Sequence, residues 1–438
     1  MTTEELYSIY LKCGACVSTD SRTVGEGELF VALKGENFDG NLYAYKALEA
    51  GAGYAVVSEG SVAAAEGGDR IIAVPDTLEA LRSLALYHRR HCRADGCRLP
   101  VIGMTGTNGK TTTKELIKAV LSAKYAVSAT TGNLNNDIGV PQTLLKITPE
   151  TEIAIVEMGA NHPDDIARLV EIVDPDFGLI TNVGKAHLLG FGSFDGVKRA
   201  KGQLYDYLSA HGGRAFVNVA DPALRSMAEE RQALEIIPFS ADMLGAVVEP
   251  CTRDNPFLSM NIGGEHLQTR LVGSYNATNV LAAVAIGLHF GVPLHDALEA
   301  IAAYEPANSR SQMVRTPRNT LIVDAYNANP SSMGVALSNF ADIIAPCKLA
   351  LLGDMRELGA DSLAEHVAVV RKVIGYGYDA IFVGDEFARA VEETGCAFRT
   401  FPDSVSLAEY LRGNPVTDTT VLVKGSRGIM MEKAIPEL

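Results

Sequence analysis

The sequence predicts an α/β protein of three domains, and three observations carry that reading. The 438 residues are too many for one domain and suit about three. From residue 99 onward, β-branched and nearly continuous apolar runs alternate with helical patterns, as in parallel sheets covered on both faces. One of these runs, "VIGMT", opens into the glycine loop "GTNGK", and a helix-forming stretch follows.

Residues 1–98 form a small N-terminal α/β domain, with strands at "ELFVALKG" and "AGYAVVSEG" and a helical "KALEAGA" between them. The basic "HRRHCRADGCRLP", residues 88–100, reads as a linker. Residues 99–306 form a central phosphate-loop domain on a parallel sheet. Its strands are "PVIGMT", "EIAIVEMG", "DFGLITNVG" and "RAFVNVA", and "NVLAAVAIGLHFG" is a buried helix. Residues 307–438 begin a second alternation, a Rossmann-like domain. Its strands are "NTLIVDAYN", "KLALLGD", "YDAIFVGD" and "TVLVKG", and its helices are "SSMGVALSNFADII" and "SLAEHVAVVRKVIGYG". Ligands of such sheets sit beyond the carboxyl ends of the strands, which singles out Asp324, Asp354, Asp385 and Lys424.

Composition narrows the function classes. Hydrophobic residues make up 47 % and charged residues 21 %, values of a globular protein with real cores. A formal net charge of −15 argues against a nucleic-acid or anionic-membrane partner. "MTTEELYSIY" lacks the pattern of a signal peptide, and no run approaches the ~18 apolar residues of a membrane span, so a cytoplasmic protein is expected. The seven cysteines are scattered. No histidine or cysteine pattern supports zinc at Cys13-x-x-Cys16 or Cys92-x4-Cys97, and reduced thiols are expected.

The glycine loop has the order that holds a polyphosphate: strand, loop, lysine, hydroxyl, helix. Gly106 and Gly109 let backbone amides turn toward phosphate oxygens, Lys110 supplies a charge, and the Thr111 hydroxyl suits Mg2+. Thr107, Asn108 and Thr112 complete the nucleotide-contacting stretch. The strict pattern asks for glycine at position 104, where Met104 stands. A plain glycine turn before a helix is the alternative, and the Lys-Thr pair argues against it. Magnesium also needs a carboxylate, and Glu157 ends an apolar strand where a charge has little structural reason to be. His187 follows the next strand end; a loop residue and a ligand are both open there.

In the helix "GVKRAKGQLYDYLSA", Val197, Lys201, Leu204 and Leu208 share one stripe, so Lys201 lies on the face that should be buried. Snorkelling is one outcome. A desolvated lysine with a lowered pKa is the other, able to act as a nucleophile or to add CO2 as a metal-binding carbamate.

Taken together, "GMTGTNGKTTTK", "VEMGAN", "NVGKAHLLGFGS…AKG" and "GSYNATNVLAA" resemble the Mur ligases of peptidoglycan synthesis, in which the first glycine of the loop is also commonly missing. The resemblance runs through all three regions. It implies a cytoplasmic enzyme using ATP and Mg2+ to activate a carboxylate as an acyl phosphate that an amine then attacks. Carried over by motif, it implies magnesium at Thr111, Glu157, His187 and carbamylated Lys201, with Lys110, Glu157, His187 and Lys201 as the catalytic set. Asn276 and Asn279 are implied at the adenine end, with Arg310 and Asp324 closing on ATP from the last domain.

"STDSRTVGEGELFVALKGENFDG" resembles the UDP-binding domain of the family's last two ligases, which implies Ser21 and Arg22 as substrate contacts. "VDAYNANPSSM" and "LLGDMRELG" resemble the members that add D-alanyl-D-alanine to UDP-N-acetylmuramoyl-tripeptide. The partners implied are those two substrates, with no nucleic acid and no membrane insertion, and a monomer is expected. Asn327 and Asn329, with Ser331 and Ser332, are assigned to the dipeptide pocket, against a helix cap as the alternative. Asn136 is assigned to the peptide or phosphate region, against an Asx turn. "DNPF" at 254–257 reads as a turn. Asn41 stands where relatives often carry histidine, and Gln203 where an acid is common. Rival readings are a nucleotide-dependent switch, an inactive relative, another amide ligase of the family that adds the third residue, and a folate-polyglutamating ligase, which lacks the first domain.

Overall fold

The computed structural model describes residues 1–93, 96–186, 188–250, 255–306, 310 and 312–438. His187 and the Asp254 of "DNPF" lie outside the described residues. Four sheets and a short hairpin organise the rest.

The first sheet is parallel, with strands Val17–Ser18, Leu29–Val31, Tyr54–Ser58 and Ile71–Val74 in that order. The basic stretch at 88–91 is not linker. Helix Thr77–His91 runs through it, started by Asp76, whose side chain accepts from the Leu78 and Glu79 amides. The reason is positional. Leu81, Leu84, Ala85 and His88 continue one inward stripe, and Arg89 falls beside it. The Arg89 side chain is fully buried. Its Nη2 donates to Asp176 Oδ2 (2.7 Å) and to the Asp174 carbonyl (2.9 Å). Tyr10 Oη donates to the Leu145 carbonyl (2.7 Å), and His88 Nε2 meets the Ile147 carbonyl at 2.8 Å. Residues of the first region and of the central sheet therefore share one core.

The central sheet has six parallel strands in the order Glu235–Phe239, Arg214–Asn218, Phe177–Ile180, Val101–Thr105, Ile153–Glu157, Val127–Ala129. The chain fills one side of Val101–Thr105 first and then crosses to the other. The carboxyl ends of Val101–Thr105, Ile153–Glu157 and Phe177–Ile180 thus lie side by side at the point where strand order reverses, the place where such sheets bind ligands. Helices Lys110–Ser122, Ala277–His289 and Leu294–Ala303 share a second core with this sheet. A three-stranded antiparallel sheet, Ala246–Glu249, Phe257–Ile262 and Glu265–Val272, joins that core and had no expectation from sequence.

In the last region, Gln312–Arg315 pairs antiparallel with Thr320–Asp324. Strands Thr420–Lys424, Lys348–Gly353, Asp379–Val383 and Arg399–Phe401 follow in parallel. Register sets Asp324 opposite Lys424. Asp354 is used within the fold: its carboxylate accepts from the Glu386 (3.1 Å) and Phe387 (2.9 Å) amides at the start of helix Asp385–Thr394.

Removing Arg89 strips a buried partner from Asp176 and opens a void under the helix. Arg89→Ala is expected to lower unfolding free energy by about 3 kcal/mol in urea titration. A change below about 1 kcal/mol would show that the pair does not fasten the first region to the central sheet.

Candidate active site

The glycine loop is shaped by the neighbouring strand end. Gly106 has φ +145°, and a Cβ there would collide with Thr181 Oγ1. Gly109 has φ +77°, and a Cβ would sit 2.7 Å from Asn279 Oδ1. The Thr107 amide donates to the Asn182 carbonyl (3.0 Å), and the Asn108 amide to Asn182 Oδ1 (3.0 Å). Asn182 Nδ2 and Thr181 Oγ1 donate in turn to the Asn108 carbonyl (2.9 and 2.7 Å). Helix Lys110–Ser122 has no side-chain cap, so its first amides stay available to an anion. Lys110 Nζ curls back to the carbonyls of Gly106 (2.8 Å) and Thr107 (3.2 Å). Burial pushes the pKa of Lys110 down, and the nearby Glu157 charge opposes that.

Glu157 is 1 % exposed at the end of its strand. Thr111 Oγ1 donates to Oε2 (3.0 Å) and Asn135 Nδ2 to Oε1 (2.9 Å). The backbone behind is held as well. The Glu157 amide donates to Thr130 Oγ1 (2.9 Å), and the buried Lys114 donates to the Thr130 carbonyl (2.5 Å). No lysine or arginine among the described residues pairs directly with this carboxylate. A buried anion next to a hydroxyl and short of a cation fits a hard divalent ion.

Lys201 is 2 % exposed, on the inward stripe of helix Phe194–His211 beside Val197, Leu204 and Leu208. It does not snorkel. Its Nζ lies 5.6 Å over the Phe191 ring, and no described carboxylate pairs with it. Burial, then the Lys110 charge, hold its pKa well below the ordinary lysine value, with Asp165 opposing. A neutral amine is therefore accessible there. Gln203, two residues on, accepts from the Ala167 amide (3.0 Å) and so braces the neighbouring helix instead.

A cleft of about 740 Å³ opens over the loop and is closed on its far side by the last region. Asn276 and Asn279 line it. They form a buried relay: Thr113 Oγ1 donates to Asn279 Oδ1 (3.0 Å), and Asn279 Nδ2 to Asn276 Oδ1 (2.9 Å). From the opposite wall, Arg310 stacks on Tyr326, guanidinium carbon to ring centre 3.7 Å. Asp324 pairs with buried Lys424 (2.5 Å). Asn329 does two jobs. Its Oδ1 caps helix Pro330–Asp342 by accepting from the Ser332 amide (2.8 Å), and its Nδ2 donates to Asn108 Oδ1 of the glycine loop (2.9 Å). Ser331 Oγ accepts from the Lys185 amide (3.0 Å). Asn327 lines the same wall.

Two groups of sequence-derived residues do not converge there in the same way. Asn136 borders the cleft, but its Oδ1 accepts from the Ile138 and Gly139 amides, an Asx turn opening helix Gly139–Leu144. Ser21 and Arg22 sit apart from the cleft, Arg22 exposed and paired with Asp20 (2.6 Å). Asn41 ties its loop to the end of strand Tyr54–Ser58 by accepting from the Ser58 amide (2.8 Å).

Family models match the chain in three consecutive stretches: "Mur ligase family, catalytic domain" over residues 15–89, "Mur ligase middle domain" over 104–287, and "Mur ligase, glutamate ligase domain" over 309–427. The chain belongs to the Mur ligase family. It is 33 % identical to the UDP-N-acetylmuramoyl-tripeptide–D-alanyl-D-alanine ligase of Treponema pallidum, over 96 % of this chain and 93 % of that one. It is similar to the crystal structure of MurF from Thermotoga maritima in complex with ADP, with TM-score 0.81, 25 % identity and 96 % of each chain covered. It is equally similar (TM-score 0.81, 30 % identity, 96 % and 92 % covered) to the Acinetobacter baumannii UDP-N-acetylmuramoylalanyl-D-glutamyl-2,6-diaminopimelate–D-alanyl-D-alanyl ligase.

Several residues of this Mur ligase escaped the sequence reading. Asn135 and Thr181–Asn182 act only through partners far along the chain. Lys114 was visible as a second lysine, i+4 from Lys110 on the loop helix, but its burial was not.

Glu157→Gln keeps the shape of the pocket and removes its charge. ADP affinity measured with Mg2+ is expected to fall by at least about tenfold while affinity in EDTA changes little. An unchanged Mg2+ dependence would take the metal away from Glu157.

Proposed function

We propose that this chain is an ATP-dependent, ADP-forming ligase that joins D-alanyl-D-alanine to UDP-N-acetylmuramoyl-tripeptide, giving the pentapeptide for peptidoglycan synthesis. The observation that carries the reading is one cleft in which a phosphate loop and a buried carboxylate face the strand ends of a second α/β unit, joined across it by Asn108 and Asn329. The relatives similar over almost the whole chain bear that activity in their names.

In this reading residues 1–98 hold the UDP end, with Ser21 and Arg22 as contacts, residues 99–306 hold ATP, and residues 307–438 hold the dipeptide. The loop amides and Lys110 bind the phosphates of ATP. Asn276 and Asn279 meet the adenine end, and Arg310 and Asp324 meet the nucleotide from the other wall. An oxygen of the tripeptide carboxylate attacks the γ-phosphorus, the bond to the ADP oxygen breaks, and an acyl phosphate forms. The dipeptide amine then attacks the acyl carbon, inorganic phosphate leaves, and the amine gives up its proton. Thr111, Glu157, His187 and Lys201 as its carbamate would hold Mg2+, which would supply charge neutralisation between the two anions. Asn327 and Asn329 frame the dipeptide, and Asn136 lies on the donor side. The facing walls exclude water, which would otherwise hydrolyse the acyl phosphate. No described helix is long and apolar enough to cross a membrane; a cytoplasmic location is part of the proposed reading, supported by its use of ATP and a UDP-linked substrate.

With ATP, Mg2+ and the tripeptide, phosphate release is expected only when D-alanyl-D-alanine is added, with a pentapeptide seen by mass. Nucleotide binding without product under any acceptor would restrict the kinship to fold. Lys201→Ala is expected to lower turnover by about 10²–10³-fold, with partial rescue by short carboxylic acids. Wild-type rates in that variant would discard Lys201 as a metal ligand.

A further inference from the structure

On the donor side of the cleft lies a chain of alternating charges that none of these roles uses. Arg82, in helix Thr77–His91, meets Asp137 Oδ1 at 3.1 Å. Asp137 Oδ2 lies 3.7 Å from Arg168 Nη2, and the same Nη2 meets Asp165 Oδ1 at 2.5 Å. Asp165 is itself fixed, its Oδ2 accepting from the Asn161 and His162 amides (2.8 Å each). Asp137, Asp165 and Arg168 all line the cleft that holds the phosphate loop and Glu157.

A guanidinium has five N–H donors in a planar fork. Both carboxylates sit at Nη2 of Arg168. Among the described residues nothing hydrogen-bonds to its Nε or Nη1, and the side chain is 48 % exposed. Arg168 is thus held at one nitrogen and keeps unbonded donors on a side chain that lines the cleft. The fork geometry suits a carboxylate, and the clamp removes much of the entropy cost of holding a long side chain still.

The donor peptide brings such a group. A glutamyl residue uses one of its two carboxyls in the peptide bond and keeps the other. Diaminopimelate is lysine with one more carboxylate at its far end. Either residue carries a non-reacting carboxylate into a site already crowded with phosphate charge. Building on the ligase reading above, we propose that Arg168, clamped by Asp137 and Asp165, binds a non-reacting carboxylate of the donor peptide and sets the register in which the reacting one meets the phosphate loop.

The test is equilibrium binding, by titration calorimetry, of three donors to the protein. They are the alanyl-glutamyl-diaminopimelate donor, its lysine counterpart, and the diaminopimelate donor with the glutamyl carboxylate amidated. Arg168→Met is expected to weaken the first by about tenfold or more and to leave ADP affinity unchanged. The loss should vanish for the lysine donor if the bound group is the far carboxylate, or for the amidated donor if it is the glutamyl one. Asp137→Asn, which only loosens the clamp, should show the same pattern at smaller size and serves if Arg168→Met does not fold. Equal losses for all three donors, or none, would overturn the proposal. The readout is binding, so a protein that binds donors without turning them over would sink the ligase reading and leave this one standing.

Discussion

A polyphosphate is held only if several backbone amides point at one place, and such a loop has no side-chain core of its own to keep it there. The constraint on which this site depends is the bracing of the glycine loop by the adjacent strand end. Asn182 and Thr181 bond to the backbone of Thr107 and Asn108 in both directions. Gly106 fits only because it has no Cβ to meet Thr181. That contact exists because the strand order reverses at Val101–Thr105 and sets Phe177–Ile180 beside it. Sheet topology and loop conformation are one arrangement, and Asn329 reaches from the far wall to the same loop at Asn108.

The second organising feature is how buried charge is distributed. Glu157 and Lys201 are buried, with Lys110 partly buried near both, where like charges repel and unpaired ones are costly. Lys110 answers this with loop carbonyls, Glu157 with a hydroxyl and an amide, and Lys201 with a depressed pKa. The alternating Arg82–Asp137–Arg168–Asp165 chain uses another solution, in which each charge has an opposite neighbour. The acid-rich exterior expressed in the net charge of −15 says nothing of these local pockets.

Much of the fold was legible because the signals were local. The strands of both doubly wound sheets announced themselves as apolar runs, and the stripe through Val197, Lys201, Leu204 and Leu208 placed a lysine on a buried face. The reading failed where composition stood in for position. "HRRH" has the composition of a solvated linker, yet Arg89 is among the most buried side chains, since its partners Asp174 and Asp176 lie more than eighty residues away. The antiparallel sheet after Phe239 went unseen because its edge strand Ala246–Glu249 has only four residues and a weak pattern, and because Phe257–Ile262 and Glu265–Val272 gain their stability from the core they cover.

By itself, the sequence determined the elements and the chemistry within each. It set a loop that must turn at Gly106 and Gly109, a lysine and a threonine one residue apart, a carboxylate at a strand end, and family motifs in order. These are decided by backbone conformation and periodicity over a few residues. Only the tertiary structure decided what meets what: Asn135 on Glu157, Asn329 on Asn108, Asp137 on Arg168. Each is a contact whose energy comes from geometry at a few ångströms. Where partners are remote in sequence, no local pattern can encode the distance between them until the chain is packed.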